Sequence, residues 1–574
     1  MYIQNSYGPA LEISKQTHAV KYRQEGEDFE EAMSRVAASL MDDDAHRREF
    51  KDILLNMRFM PGGRVQSCMG AAREVTPYNC FVSDTIDDSM GGIMKAATDA
   101  AQTMRMGGGI GYDFSTLRPK GDRIVSLGAP SSGPVSFMQI FDAVCKTISS
   151  AGNRRGAQMG VLRVDHPDIR EFIHAKQNSS SLTAFNISVG ITDEFMRAVQ
   201  SGDTFDLKWG GRVYDTVSAT MLWEEIMRGT YDWAEPGVLF LDRINDSNNL
   251  HYCEYIAATN PCAEQPLPPN GACLLGSFNL ARYIRTERTA SGGPVPTFDY
   301  MQFRKDIPPV VRAMDNIVDR ATYPLPSQEK EAKDKRRMGL GVTGLANAGE
   351  AVGFPYGSPE FLEFTASVLE VLRDTAYRSS VSLAIEKGAF PLYTPEYQDS
   401  EFVSTLPEDI QQDIKSYGIR NSHLLSIAPT GTISLCADNV SSGIEPVFAY
   451  STMRTIQTVD GPIVVEINDY GVERFGVYGR RADDITVQDH LGVLLTSQKY
   501  IDSAVSKTCN VGDDVTWDEF QNVYIDAWKG GAKGITTFRA AGKRFGILNS
   551  NDDKPSTDGE ACFIDPATGI KTCE

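Results

Sequence analysis

Three side chains in the run TNPCAEQPLPPNGACLLGSFNL (259–280) have types that do chemistry on a small substrate: the amide of Asn260, the thiol of Cys262 and the carboxylate of Glu264. Spaced at i, i+2 and i+4, they share one face wherever the backbone is extended. Pro261 and Pro266 forbid a regular helix here and favour an extended, projecting loop. A thiol beside a base is the usual acyl-transfer pair, so a cysteine hydrolase is the first enzyme class to weigh. It needs a histidine, and the chain has seven, of which His251 is nearest in sequence. No CGSCW-like or QAC-like context surrounds Cys262, which leaves that reading weak. The bland alternative is a proline-rich connector with a buried cysteine.

Ten cysteines are present, with no CxxC pair and no Cys/His cluster at zinc spacing, so no metal ligand is assigned. Two of them, Cys562 and Cys573, fall in the last segment, NSNDDKPSTDGEACFIDPATGIKTCE (549–574). That segment is polar and lacks an apolar period, which predicts a mobile tail. A tail has no packing need for thiols, so these two are candidates for chemistry. In APTGTIS, Thr430, Gly431, Thr432 and Ser434 are small hydroxyl and glycine residues suited to a phosphate cradle at a helix start. The glycine-rich run RMGGGIGYDFSTLRPKG (105–121) lacks GxGxxG spacing and does not support a dinucleotide fold.

The elements that must position these residues read as α/β. Residues 1–58 are predicted helical, with Phe29, Ala32, Val36 and Leu40 on one face and a stop at Met-Pro-Gly-Gly, 60–63. Beyond it, β-type runs such as NCFVSD, FNISVG, GVLFLD and HLLSIAP alternate with helical stretches such as SPEFLEFTASVLEVLRDTAYRSSVSLAIEKG. That alternation predicts one dominant catalytic domain over 59–548 with much parallel strand. The chain has 574 residues and a formal charge of −20, a field that repels a phosphate backbone and argues against nucleic acid as a partner. No apolar run has membrane-span length, and the N-terminus lacks a signal-peptide layout, so a cytoplasmic protein with no membrane partner is expected.

NPCAEQPL and the downstream IAPTGTISLCADNVSSGIEP (427–446) resemble the large catalytic chain of ribonucleotide reductases. RFMPGGR (58–64), YNCFVSD (78–84) and GNRRGAQMGVLRVDHPDIREFI (152–173) continue the resemblance in order, from about residue 55 to the C-terminus. It implies a ten-stranded α/β barrel with a finger loop carrying a radical cysteine to its centre. Carried over by position, Cys262 resembles the thiyl residue that removes the substrate 3′-hydrogen, Glu264 the group that takes the 3′-hydroxyl proton, and Asn260 the amide that orients the sugar. Cys80 and Cys273 resemble the pair that donates two reducing equivalents and ends as a disulfide, and Asn79 a substrate contact. The APTGTIS loop would hold the substrate phosphates, with Mg2+ accompanying the nucleotides. Asp88, Arg118, Arg154 and Arg155 resemble residues of the loops that read an allosteric deoxynucleotide and choose the substrate. The N-terminal cone that gives many relatives ATP/dATP on–off control is not expected. Cys562 and Cys573 would re-reduce the Cys80–Cys273 disulfide and be served by thioredoxin or glutaredoxin, and a homodimer is implied.

The family divides by radical source. Members served by a ferritin-like, metal-containing subunit carry two adjacent tyrosines near the end of the barrel. Here Thr536 and Thr537 stand in that segment (531–548), and no RVxG-type glycyl-radical motif is present. MPGGR, NPCAEQ, APTGTIS and KGITTFR look more like the adenosylcobalamin-dependent enzymes, in a compact form also found in phages. A class I-like chain fed by a partner subunit is the alternative. A non-catalytic nucleotide-binding regulator is disfavoured, because all five of Asn260, Cys262, Glu264, Cys80 and Cys273 are retained.

Overall fold

The structure is a computed structural model that describes residues 7–72, 75–148, 157–177, 181–288, 294–458, 461–512 and 515–539, together with the backbone of 562–564 and 571–573. Of residues 454–458 and 461–463 the backbone alone is described. The chain divides into two compact units, each assembled from separated stretches.

One unit comprises Cys80–Cys273, Tyr323–Glu331 and Ala504–Glu574. Its frame is an eight-stranded mixed sheet in the order Ala272–Cys273, Cys80–Val82, Gly109–Asp113, Gln158–Arg163, Phe185–Ile191, Gly237–Phe240, Gly534–Arg539 and Thr508–Val511. The five strands from Cys80–Val82 to Gly237–Phe240 run parallel. Antiparallel pairs flank them at Cys273/Cys80 and at Val238/Ile535. Helices Met90–Arg105, Pro134–Thr147, Ile169–His174, Asp193–Ser201 and Ala219–Trp233 fall between these strands in the chain, as parallel connections require. Burial follows: Gln158–Arg163 and Phe185–Ile191 are buried almost throughout, the pattern of strands covered on both faces. Tyr112, Phe114, Phe141 and Phe185 pack edge-on or tilted at 4.9–6.0 Å between ring centres and fix the middle of this core.

The other unit comprises Met1–Asn79, Leu274–Thr322 and Ala332–Ser503. It opens with helices Glu12–Tyr22, Phe29–Leu40 and Asp44–Leu55. Phe29, Ala32, Val36 and Leu40 are buried on one face of the second, as their spacing predicts, and a capping box of Asp28 and Glu31 starts it. After the Met-Pro-Gly-Gly stop a new helix, Gly63–Cys68, begins at once. Strands Phe59–Pro61, Leu275–Asn279 and Gly339–Thr343 form a three-stranded sheet. The 29-residue helix Pro359–Lys387 starts on the Ser358 cap and packs against Tyr300–Arg320.

HLLSIAP departs from the expected strand. It forms no continuous strand: bridges fall at Leu425, to Leu340, and at Ile427, while the Asp502 carboxylate accepts the N–H groups of Leu424 and Leu425 at 2.7 and 2.9 Å. A buried carboxylate there satisfies the amides that a neighbouring strand would otherwise take. Among the described residues no helix is long and apolar enough to cross a membrane.

Candidate active site

The Asn260–Glu264 segment lies at the tip of a narrow hairpin whose arms, Ala258–Thr259 and Pro266–Leu267, pair antiparallel. The expected extended backbone is not what forms. The Ala263 N–H donates to the Asn260 carbonyl at 3.0 Å and Ala263 takes φ +65°, so the tip is a turn. Two prolines limit which residues can donate, and a tight reversal is the way for so short a loop to return to its own strand.

Asn260 organises the turn. Its N–H donates to the Gln265 carbonyl at 3.2 Å, and its Oδ1 accepts the Gln265 N–H at 3.0 Å and the Thr259 hydroxyl at 3.2 Å. Its Nδ2, fully buried, has no hydrogen-bond partner among the described residues. The Ala504 N–H donates to the Glu264 carbonyl at 3.0 Å and ties the returning arm down.

The hairpin is seated on the sheet through residues that sequence reasoning passed over. A Cβ at Gly111 would stand 1.9 Å from the Thr259 carbonyl oxygen, and one at Gly109 would stand 3.2 Å from both the Cys80 Sγ and a Pro261 ring carbon. The glycine-rich run therefore serves as clearance for the hairpin. Asn186, on strand Phe185–Ile191, donates through Nδ2 to the Pro261 carbonyl at 3.1 Å. The only signal for Gly109 and Gly111 was glycine inside a β-type run, which marks a close backbone approach.

Cys80 and Cys273, far apart in the chain, are direct cross-strand partners. Antiparallel partners lie about 4.5–5.5 Å apart at Cα, inside the range of about 4.4–6.8 Å that a disulfide spans. Both are free thiols in this structure, as is Cys262. All three are buried, Cys262 with 8% of its surface exposed. Burial pushes the Cys273 thiol well above its ordinary range, and Glu264, Cys80 and Cys262 push it the same way. The structure thus sets three of the predicted catalytic residues, Glu264, Cys80 and Cys262, near the thiol of a fourth, Cys273, with Asn260 in the same turn as Cys262. Burial holds the Cys273 thiol neutral, which suits redox exchange better than thiolate attack.

Asn79 and the Thr430 loop belong to the other unit. Asn79 Oδ1 is buried with no hydrogen-bond partner among the described residues. Thr430 precedes helix Gly431–Cys436 with left-handed backbone, φ +57°, and makes no side-chain cap, so the first amides of that helix carry no capping side chain. Its hydroxyl instead accepts the Gly443 N–H at 2.7 Å and meets the Thr343 hydroxyl at 2.9 Å. Ser434 meets Ser442 at 2.9 Å. Thr343, Ser442 and Gly443 brace the loop; the last two fall within the 427–446 run, and no sequence signal marked Thr343.

Asp88 and Arg118 are brought together: Arg118 Nε donates to one carboxylate oxygen at 2.7 Å and its backbone N–H to the other at 3.1 Å. Arg154 and Arg155 lie outside the described residues. So does most of the predicted tail; of it, strands Cys562–Ile564 and Lys571–Cys573 pair with Cys562 opposite Cys573. Thr536 and Thr537 sit on strand Gly534–Arg539, and Thr537 Oγ1 is 2.8 Å from the hydroxyl of Tyr524, a fully buried phenol on helix Trp517–Lys529.

A family model described as ribonucleotide reductase, barrel domain, matches residues 78–538. The chain is 36% identical to the vitamin B12-dependent ribonucleoside-diphosphate reductase of Mycobacterium tuberculosis (strain CDC 1551 / Oshkosh), over 88% of this chain and 74% of the relative. It is 32% identical to the enzyme of the same name from Thermoplasma acidophilum, over 91% of this chain and 69% of that one. The vitamin B12-dependent ribonucleotide reductase of Streptomyces clavuligerus matches at 27%, over 94% and 64%. With its thiol cluster and a family match over most of its length, the chain belongs to the ribonucleotide reductases, a family of oxidoreductases.

Proposed function

We propose that the chain converts ribonucleotides to 2′-deoxyribonucleotides with Cys262 as the radical residue, and that it depends on adenosylcobalamin. The observation that carries this reading is the register that sets Cys80 against Cys273 with Cys262 and Glu264 as electrostatic neighbours. In its radical form the Cys262 sulfur removes the 3′-hydrogen of the sugar while Glu264 takes the 3′-hydroxyl proton and Asn260 Nδ2 donates to the sugar. The 2′-hydroxyl leaves as water, and the two electrons and protons come from Cys80 and Cys273, which end as a disulfide. Cys262 then returns the 3′-hydrogen. Burial of the cluster keeps water and oxidants from the radical.

Adenosylcobalamin, when bound, supplies the one-electron oxidation of Cys262. The vitamin B12-dependent relatives support this choice. Thr536 and Thr537 offer no aromatic pair for a radical delivered by a ferritin-like subunit.

The finer architecture goes with this reading: a ten-stranded barrel over 59–548, residues 1–58 as a helical preface, and 549–574 as a redox tail. Thr430, Gly431, Thr432 and Ser434 hold the substrate phosphates with Mg2+, and Asn79 meets the substrate. Asp88 and Arg118, with Arg154 and Arg155, read a deoxynucleotide effector. Cys562 and Cys573 carry electrons from thioredoxin or glutaredoxin in the cytoplasm. A homodimer is supported by exposed apolar side chains on and near the effector elements, with Met90 60% and Val125 85% exposed.

The test is reduction of CDP and CTP by the purified chain with dithiothreitol and an effector panel, with and without adenosylcobalamin. Turnover only with the cobalamin is expected. No turnover across the panel, followed by rescue with a ferritin-like subunit, would reject the cobalamin assignment. A histidine-dependent acyl-enzyme at Cys262 would reject the reductase chemistry altogether.

A further inference from the structure

Gln265 is fully buried, yet neither Oε1 nor Nε2 of its side chain has a hydrogen-bond partner among the described residues. An unmade amide hydrogen bond inside a protein is costly, and such a group calls for something that arrives later to complete it. Its place in the turn narrows what arrives. Gln265 stands across the hairpin from Asn260, the Asn260 N–H donating to its carbonyl and its own N–H to Asn260 Oδ1. The pair directly follows the last strand partners, Thr259 and Pro266, so both side chains leave the same end of the hairpin. Asn260 Nδ2 is also left open, so the two amides together present two donors and one acceptor three residues or fewer from Cys262.

We infer that Gln265 is a further substrate-binding residue, whose carboxamide holds the vicinal 2′,3′-hydroxyls of a ribose, donating through Nε2 to one hydroxyl oxygen and accepting the proton of the other at Oε1. A phosphate offers acceptors alone and leaves Oε1 unpaired. A base edge is excluded by position, since the groups beside Cys262 meet the sugar on which that thiol acts. A vicinal diol matches the open set and is common to all four ribonucleotides. The inference rests on the reading of the site as a reductase centre. The same diol occurs in the adenosyl group of the cofactor, and the experiment separates the two sources.

The full-length wild type and Gln265→Leu are compared by equilibrium binding of CDP, of dCDP and of adenosylcobalamin, each alone and without turnover, and by the melting temperature of the unliganded proteins. Gln265→Met, nearer in length, serves as the second variant should leucine not fold. CDP affinity falls about tenfold, the loss expected for a pair of neutral hydrogen bonds. dCDP affinity falls less, because that ligand lacks one hydroxyl. The unliganded variant melts at or above the wild type, since an open buried amide has been removed; a bracing residue would lower it. Loss of adenosylcobalamin affinity with CDP unchanged assigns the diol to the cofactor. Unchanged affinity for both, or a lowered melting temperature without any affinity change, overturns the inference. Wild type that binds neither CDP nor adenosylcobalamin overturns the reductase reading itself, whatever Gln265 does.

Discussion

The two loops that carry candidate site residues treat their polar groups in opposite ways. At the cysteine hairpin, Asn260 Nδ2 and the Gln265 carboxamide are buried and left open. In the Thr430 loop the hydroxyls are spent on one another and on Gly443, and what stays on offer is the start of helix Gly431–Cys436. The contrast fits the two tasks proposed for these loops. A site that must grip a neutral sugar keeps its side-chain amides unsatisfied until the ligand comes. A site that must grip an anion can brace every side chain and leave backbone N–H groups to do the binding.

Removing the chemistry at the hairpin gives the largest effect. Cys262→Ser is expected to abolish reduction while leaving nucleotide affinity nearly unchanged, read by product analysis beside equilibrium binding. Substantial residual turnover would dismiss the radical assignment. Next comes the route of electrons. Cys562→Ser with Cys573→Ser is expected to lose turnover with thioredoxin and keep it with dithiothreitol, whereas Cys80→Ser or Cys273→Ser loses multiple turnover with both. Equal loss for the tail variant with the two reductants would break the distinction.

Two substitutions set the loops directly against each other. Gly111→Ala drives a Cβ to 1.9 Å from the Thr259 carbonyl and must shift the hairpin. Since a misplacement of about 1 Å costs about 100-fold in rate, kcat should fall by that order with KM little changed. Thr430→Val removes the acceptor for the Gly443 N–H and loosens the phosphate loop, so KM should rise, by about tenfold for a buried hydrogen bond. The reverse pattern in either variant would merge the two tasks.

The smallest effect concerns pH and belongs to the unit that holds the Thr430 loop. Burial raises Glu350 to about 7, despite N–H donation from Arg480 and Tyr356, and raises Asp469 to about 6. Asn347 links the second carboxylate to Ser441, beside the loop residues Ser442 and Gly443. The folded protein holds protons that the unfolded chain has released, so stability falls as pH rises from the ordinary carboxylate range to about 7 and levels off above it. Glu350→Gln should flatten that fall in melting temperature between pH 5 and pH 8, and an unchanged slope would remove Glu350 as its source.

Much of the site's chemistry was legible along the chain. Asn260, Cys262 and Glu264 announce themselves by type and spacing, although the one-face argument assumed extended backbone and the tip proved to be a turn. Their convergence comes from the seating of the hairpin on Gly109, Gly111 and Asn186, none of which has a chemical side chain that points to catalysis. Helix Phe29–Leu40 was readable because its period is local, whereas HLLSIAP is reduced to isolated bridges and gives the N–H groups of Leu424 and Leu425 to a distant carboxylate, Asp502.

By itself the sequence determined the reactive types, their order and the helical faces, since side-chain periodicity depends on neighbours within a turn or two. Tertiary structure alone decided that Cys80 opposes Cys273, that Thr259 lies over a glycine, and that the Gln265 carboxamide is buried with no hydrogen-bond partner among the described residues. Those are matters of register and of approach between distant segments, and a one-residue slip in register would send each of those side chains to the opposite face.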